Sequence, residues 1–498
     1  MESMTAVEKA RETFNSGRTR DVNFRRDQLK KLYKLVEENG PLLVEALEKD
    51  LKKPSFEANM IEISYILNDI CGVLHNLDKY TAPEKVSRTL VTAFDDAFIL
   101  NEPYGVVLII GTWNYPLMVC LIPMIGAIAA GNTVILKPSE IAPYSAKLMA
   151  ELIPRYLDKS CYHVITGGAE ITEKLLNMKF DYIFFTGSQS VGKKVHQAAA
   201  KHLTPITLEL GGKSPTYIDE TVGDEKYAFR RILWAKMVNA GQTCVAPDYI
   251  LCSAEVAGKF VHYASEILSQ FYGPNQVNWT DIACIVNDKH FARLNSILKR
   301  CDNIALGGKI DHEKRCIGPT ILTNVKAEDD IMKEEIFGPI LPIVVVESLD
   351  EAISFINQRP KPLTCYVFSK NRQVIQRILT ETSSGSVCAN DALVHLSIDS
   401  LPFGGVGDSG FGIYHGKSTF QTFSHQKSVL IRGYSPILEW VSSKRYPPYS
   451  ESNLKRLQRI LKKRQFIDID PSWQGFFIFL LGAWTLYMAQ HVFREYLN

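Results

Sequence analysis

One cysteine stands apart from the others in this 498-residue chain. The run Asn239-Ala-Gly-Gln-Thr-Cys244-Val-Ala-Pro247 presents its thiol on a turn of small residues. A flat carbonyl can react only with a sulfur it can approach. Ala240 and Gly241 let the backbone come close, and Pro247 ends the local structure soon after. The thiolate is the nucleophile, and an ordinary thiol with a pKa of about 8.5 is only a few per cent ionised at neutral pH. A base must therefore take its proton. Upstream, Leu208-Glu209-Leu210-Gly211-Gly212-Lys213 sets a carboxylate among apolar residues and glycines, where burial raises it toward the range of a base near pH 7. Cys244 and Glu209 together fit covalent, thioester-forming catalysis. Taken singly, the first also reads as a core thiol and the second as a strand end.

Three further sites could serve that chemistry. The apolar run Tyr182-Ile-Phe-Phe185 leads into Gly187-Ser-Gln-Ser-Val-Gly192 and a helical stretch to Ala200. A strand, a glycine turn and a helix N-terminus make an anion site from free backbone N–H groups, or simply a turn. Lys137 and Glu140 follow the strand Thr133-Val-Ile-Leu136 and read equally well as a solvated strand end. Asn114 follows the apolar strand 105–110. Its amide can donate two hydrogen bonds, or it can hold the turn before Pro116.

The chain resembles the aldehyde dehydrogenase superfamily. The likeness rests on seven ordered motifs: the two around Glu209 and Cys244, Gly111-Thr-Trp-Asn114-Tyr-Pro116, Lys137-Pro-Ser-Glu140, Phe185-Thr-Gly187-Ser-Gln-Ser-Val-Gly192, Glu334-Glu335-Ile-Phe337-Gly-Pro339 and Pro402-Phe403-Gly-Gly405. The segment from Leu401 through Gly412, with Tyr414-His-Gly-Lys and Thr422-Phe-Ser-His425, is similar to class 3, and with the apolar C-terminus to the fatty aldehyde dehydrogenases within it.

The resemblance implies oxidation of medium- to long-chain aliphatic aldehydes to acids. Cys244 would be the nucleophile, Glu209 the base, and Asn114 with the Cys244 backbone N–H an oxyanion hole. It places Lys137 and Glu140 at the adenosine ribose, Glu335 and Phe337 at the nicotinamide ribose and ring, and Thr112, Trp113, Gly187, Ser188, Gly192 and Leu210 around the rest of the cofactor. A carboxylate at Glu140 would repel a 2′-phosphate, so NAD is favoured over NADP. An acyl-transferring relative that passes the thioester to coenzyme A is the alternative enzyme, disfavoured because Glu209 would promote hydrolysis. A catalytically silent membrane scaffold on the same fold is disfavoured because Asn114, Glu209 and Cys244 occur together.

The elements that must hold these residues follow an α/β pattern. Residues 6–79 are helix-like. Strands are expected at 105–110, 133–136, 162–165 and 182–185, with helices near 117–130, 143–157 and 190–201 between or after them. That alternation implies a parallel sheet covered on both faces. A second α/β pattern, with strands near 341–346 and 364–368, runs to about residue 397. The resemblance divides the chain into a Rossmann-type NAD-binding domain (1–84 and 103–210), a catalytic domain (211–400) and a β-hairpin oligomerisation arm (85–102 and 401–435) that implies a homodimer. A basic linker with an amphipathic helix (436–470) and a membrane anchor (471–498) complete it.

Composition limits the alternatives. The ten cysteines show no paired spacing and no clustering with histidines, which argues for a reducing compartment and against a disulfide framework or a bound metal. Cysteines such as Cys71 and Cys388 read as core residues. Net charge is +2, yet eight basic residues and one acid lie between Lys444 and Arg464. Basic charge confined to one tail segment is no nucleic-acid footprint. The N-terminus mixes acids and bases and carries no secretory or transit signal. From Trp473 to Phe493 the sequence WQGFFIFLLGAWTLYMAQHVF carries no charged residue except His491, enough for a short spanning helix. Before it, Leu454, Leu457, Ile460 and Leu461 recur at helical spacing among lysines and arginines, a pattern suited to an anionic membrane surface. The expectation is anchoring at the endoplasmic reticulum with the catalytic body facing the cytosol.

Overall fold

The structure is a computed structural model that describes residues 2–87, 95–461 and 482–485. It divides into two units, Met1–Pro83 with Leu100–Lys427, and Glu84–Ile99 with Ser428–Asn498.

The larger unit contains two parallel sheets. The first has six strands in the order Gly410–Phe411, Ile206–Glu209, Tyr182–Thr186, Val106–Ile110, Thr133–Lys137 and Tyr162–Val164. All neighbours are parallel except Gly410–Phe411, which runs antiparallel to the strand that ends at Glu209. The strands at 106, 133 and 182 are buried along their whole length, the continuous apolar pattern of a sheet covered on both faces. The chain builds outward from Val106–Ile110 to one side, then returns to add Tyr182–Thr186 on the other. This reversal leaves a crevice at the carboxyl ends of these two strands, where open α/β sheets take ligands. The expected helices are found as Met118–Ala130, Pro143–Tyr156 and Gln189–Ala200; a further one, Ala169–Leu176, was not anticipated.

The second sheet has seven strands: Ile304–Leu306, Thr320–Leu322, Ile340–Val345, Tyr249–Cys252, Pro215–Ile218, Thr364–Phe368 and Ser386–Ala389. Only its first pair is antiparallel. The expected strands near 341–346 and 364–368 are therefore interior members. The N-terminal stretch is helical as expected, except that Ala58–Ile63 winds as a π-helix ahead of Ser64–Thr81.

Three expectations need correction. Residues 401–435, assigned as a block to the oligomerisation arm, divide: those through Lys427 belong to the larger unit. There Phe403, Tyr414, Phe420 and Phe423 are buried. The hairpin segment Asp96–Pro103 does form a three-stranded sheet with Glu84–Lys85 and Ser424–Ile431. Second, Cys284 and Cys316, 32 residues apart, form a disulfide that their spacing does not announce, because the fold rather than the sequence brings them together. Third, Cys71 is exposed, whereas Cys388 is buried.

The second unit contains the helix Glu451–Leu461, with Leu454 exposed at 54% and Leu461 at 64%. Among the described residues no helix is long and apolar enough to cross a membrane. The apolar run 473–493 lies outside them apart from residues 482–485.

Asn132 joins the sheet to the C-terminal segment. Fully buried, its Oδ1 accepts from Gly105 N at 2.9 Å, and its Nδ2 donates to the carbonyls of Ala127 at 3.2 Å and Phe423 at 2.9 Å. Asn132→Ala strands these groups without water, at a cost on the order of 3 kcal/mol. A thermal midpoint several degrees below wild type is expected, and an unchanged midpoint would refute the assignment.

Candidate active site

The turn that leads to Cys244 is built from left-handed backbone. Asn239, Ala240 and Gly241 have φ of 54°, 52° and 71°. A Cβ at Gly241 would overlap the carbonyl oxygen of Gly338, so only glycine permits this approach. The small residues seen in the sequence thus bring the Cys244 loop against the turn that follows Phe337, itself at φ 52°.

Polar side chains then lock the loop. Gln242 is fully buried: Nε2 donates to the carbonyls of Asn239 and Cys284, each at 3.0 Å, and Oε1 accepts from Val286 N at 3.0 Å. Asn114 donates from Nδ2 to the Gln242 carbonyl at 3.0 Å, which places its amide beside the cysteine loop. Tyr115 and Thr243 share a hydroxyl hydrogen bond of 2.6 Å.

Cys244, Glu209 and Asn114 line one cavity of about 920 Å³. Glu209 ends its strand buried, and its carboxyl is pushed up to about 8 by desolvation, which a hydrogen bond from Cys244 only partly offsets. The Cys244 thiol is raised well above its ordinary value by burial, then by the negative charges of Glu209 and Glu335; backbone N–H groups of Cys244 and Val245 pull the other way. Glu335 is likewise pushed to about 8, by burial first and Asp248 second. A thiol and two carboxyls thus line one cavity, each held toward its protonated form.

The other end of the cavity opens at the sheet crevice. Thr112, Trp113, Gly187, Ser188, Leu210, Glu335 and Phe337 all line it. Trp113 packs edge-on to Phe337 at 5.3 Å between ring centroids. The Glu335 carboxylate lies where a Gly211 side chain would stand. A Cβ at Gly192 would meet Leu210 at 2.8 Å, so glycine there lets the helix Gln189–Ala200 pack on the strand end. Lys137 and Glu140 pair at 2.6 Å outside the residues that line the cavity. Burial, the largest single influence, raises the Glu140 carboxyl, but the hydrogen bond to Lys137, its own backbone N–H and the Lys137 charge together leave it lowered.

Sequence reasoning missed Gln242, Asn239, Thr186, Lys53 and Glu62. The first two sit in the motif read for its cysteine, so position could have flagged them; Lys53 and Glu62 lie in charged helical sequence with no distinguishing signal. Thr186 Oγ1 is buried with no hydrogen-bond partner among the described residues and faces the crevice. An orphaned hydroxyl beside a glycine turn and a helix N-terminus fits a phosphate-bearing dinucleotide.

The family model that describes the aldehyde dehydrogenase family matches residues 2–429. The chain belongs to that family. As an aldehyde dehydrogenase it is 50% identical to rat aldehyde dehydrogenase family 3 member B1, over 92% of this chain and 97% of the relative. Mouse aldehyde dehydrogenase family 3 member A2 is 48% identical, over 92% of this chain and 94% of its own length. These likenesses support class 3. Among solved structures, a substrate-bound AldH of Staphylococcus aureus matches with a TM-score of 0.89 and 44% identity, over 92% of this chain and 99% of that one. An indole-3-acetaldehyde dehydrogenase bound to NAD+ matches at 0.79 with 26% identity, over 87% of this chain and 89% of its own. This aldehyde dehydrogenase is thus an NAD(P)-dependent enzyme on an α/β fold with Rossmann-type sheets.

The buried Glu209 has a measurable signature. Its carboxyl titrates near 8 in the folded chain against an ordinary 4.5. The folded state therefore holds a proton that the unfolded state releases, and stability falls as pH rises through that window. Glu209→Gln removes this loss. Its thermal midpoint should gain on wild type from about pH 5 to about pH 8 and then level; a pH-independent difference would refute the burial argument.

Proposed function

We propose that this aldehyde dehydrogenase oxidises medium- to long-chain aliphatic aldehydes to carboxylic acids through a thioester on Cys244. The observation that carries the reading is the meeting of Cys244, Glu209 and Asn114 in one cavity. Met60, Ile61, Met118, Trp234, Leu393 and Leu396 also line it, side chains suited to a hydrocarbon chain.

Glu209 accepts the Cys244 proton, directly or through water, and Sγ bonds to the aldehyde carbon. The carbonyl oxygen takes the electron pair and is held by Asn114 and backbone N–H, the main electrostatic contribution to such a step. NAD, when bound, supplies the hydride acceptor that leaves the carbon at the oxidation level of a thioester. Glu209 passes its first proton out to solvent and then takes a proton from water as the new hydroxyl bonds to the acyl carbon, and the carbon–sulfur bond breaks to release acid and thiolate. A carboxyl poised near 8 suits both proton transfers. Lys137 and Glu140 would hold the adenosine ribose, with NAD favoured over NADP because Glu140 is anionic.

We further propose a homodimer formed through the strands Glu84–Lys85, Asp96–Pro103 and Ser424–Ile431. The tail beyond residue 436 would anchor the enzyme to the endoplasmic reticulum with its catalytic body in the cytosol. Support comes from the basic helix Glu451–Leu461, its exposed leucines and the apolar sequence after it.

Stopped-flow measurement of NADH tests the chemistry. Cys244→Ala should lose activity by orders of magnitude while still binding NAD. Glu209→Gln should retain an NADH burst and slow the steady state, because release needs the base more than formation does. Residual Cys244→Ala turnover above about a tenth of wild type would remove that residue from the nucleophile role.

Truncation before Tyr446 should move the protein from membranes to the soluble fraction and keep its activity on short aldehydes. Release of the full-length protein by high salt alone would leave only an electrostatic surface contact.

A further inference from the structure

A buried ion pair next to the site takes no direct part in the chemistry described above. Lys53 Nζ and Glu62 Oε1 lie 2.6 Å apart, with side chains 1% and 0% exposed. Such a pair is a poor source of stability, because desolvation consumes most of its attraction and apolar residues of similar volume do as well or better. Its remaining bonding capacity shows what else it does.

The further hydrogen bonds of the pair go to one turn. The Lys53 charge also reaches Glu57, whose carboxyl is raised by burial; a hydrogen bond from Asn239 N at 3.0 Å and then Lys53 pull it the other way. Lys53 Nζ donates to the Asn114 carbonyl at 3.2 Å and sits 4.2 Å from the centre of the Tyr115 ring. Glu62 Oε2 accepts from the backbone N–H groups of Leu117 at 3.1 Å and Met118 at 3.2 Å. Those N–H groups open the buried helix Met118–Ala130, where a carboxylate both caps the free donors and complements the helix dipole. The turn from Asn114 to Met118 is thus gripped by a cation at its first residue and an anion at its end. Asn239 Nδ2 adds a second donor to the Asn114 carbonyl at 2.8 Å.

We propose that the Lys53–Glu62 pair is a positioning device that sets the Asn114 amide against the Cys244 loop. The inference rests on the reading of Asn114 as an oxyanion donor. The two charges fix the height and direction of the turn, where an apolar pair would fill the same volume without aiming it. Misplacement of a reacting group by about 1 Å can cost on the order of 100-fold in rate.

The test is the NADH burst of the full-length enzyme with NAD and a short aldehyde, with the rate constant and the amplitude per site read separately. The apolar exchange Lys53→Met with Glu62→Leu should slow the burst rate constant by about 10- to 100-fold while amplitude and NAD affinity stay near wild type. Lys53→Arg, which keeps the charge, should stay close to wild type. Glu62→Gln gives a second measurement if the double exchange does not fold, and it should slow the burst in the same sense. Combined with Asn114→Ala, the double exchange should add little further slowing, since both act through one amide. A wild-type rate constant, a reduced amplitude at an unchanged rate constant, or fully multiplicative slowing with Asn114→Ala would each overturn the inference. If Asn114→Ala alone leaves the burst unchanged, the reading of Asn114 falls first and takes this inference with it.

Discussion

The site depends on the close approach of Gly241 to Gly338. One glycine belongs to the turn that presents Cys244, the other to the turn that presents Phe337, and their backbones touch where a side chain would collide. Three successive left-handed residues, two of them not glycine, are held in place to achieve it. Backbone of that kind costs on the order of 1 kcal/mol or more per residue and persists only where the surroundings over-determine it. Here they do, through Gln242, Asn239 and Asn114. The consequence is spatial: Cys244 and Phe337 share one wall of the cavity.

Desolvation does the second part of the work. Glu209, Glu335 and Cys244 are raised chiefly by burial, and neighbouring negative charge adds to the shift of Cys244, from Glu209 and Glu335, and of Glu335, from Asp248 and then Glu209. In water a glutamate is a weak base and a thiol is only a few per cent ionised near neutral pH. Inside, the Glu209 carboxyl is pushed up to about 8, while the thiol is raised further from ionisation.

Much of this was legible in the chain. The strands at 106, 133 and 182 carry unbroken apolar runs because both faces are covered, and such runs declare themselves. Cys244, Glu209 and Asn114 were conspicuous by type and by neighbours. The supporting residues were not. Lys53 and Glu62 look like any helix-surface pair in sequence, and only the tertiary fold buries them. The Cys284–Cys316 bond and the division of residues 401–435 likewise depend on contacts between distant segments, which periodicity does not report.

The strand that ends at Glu209 is bordered on one side by Gly410–Phe411, a piece of chain some 200 residues later. At elongation rates of about 5 to 20 residues per second, that border is made roughly 10 to 40 seconds after the strand itself. Until then the cofactor sheet carries a bare edge, the kind that recruits foreign strands. A nascent chain must be shielded through this interval, and a chain stopped anywhere between those positions never closes it.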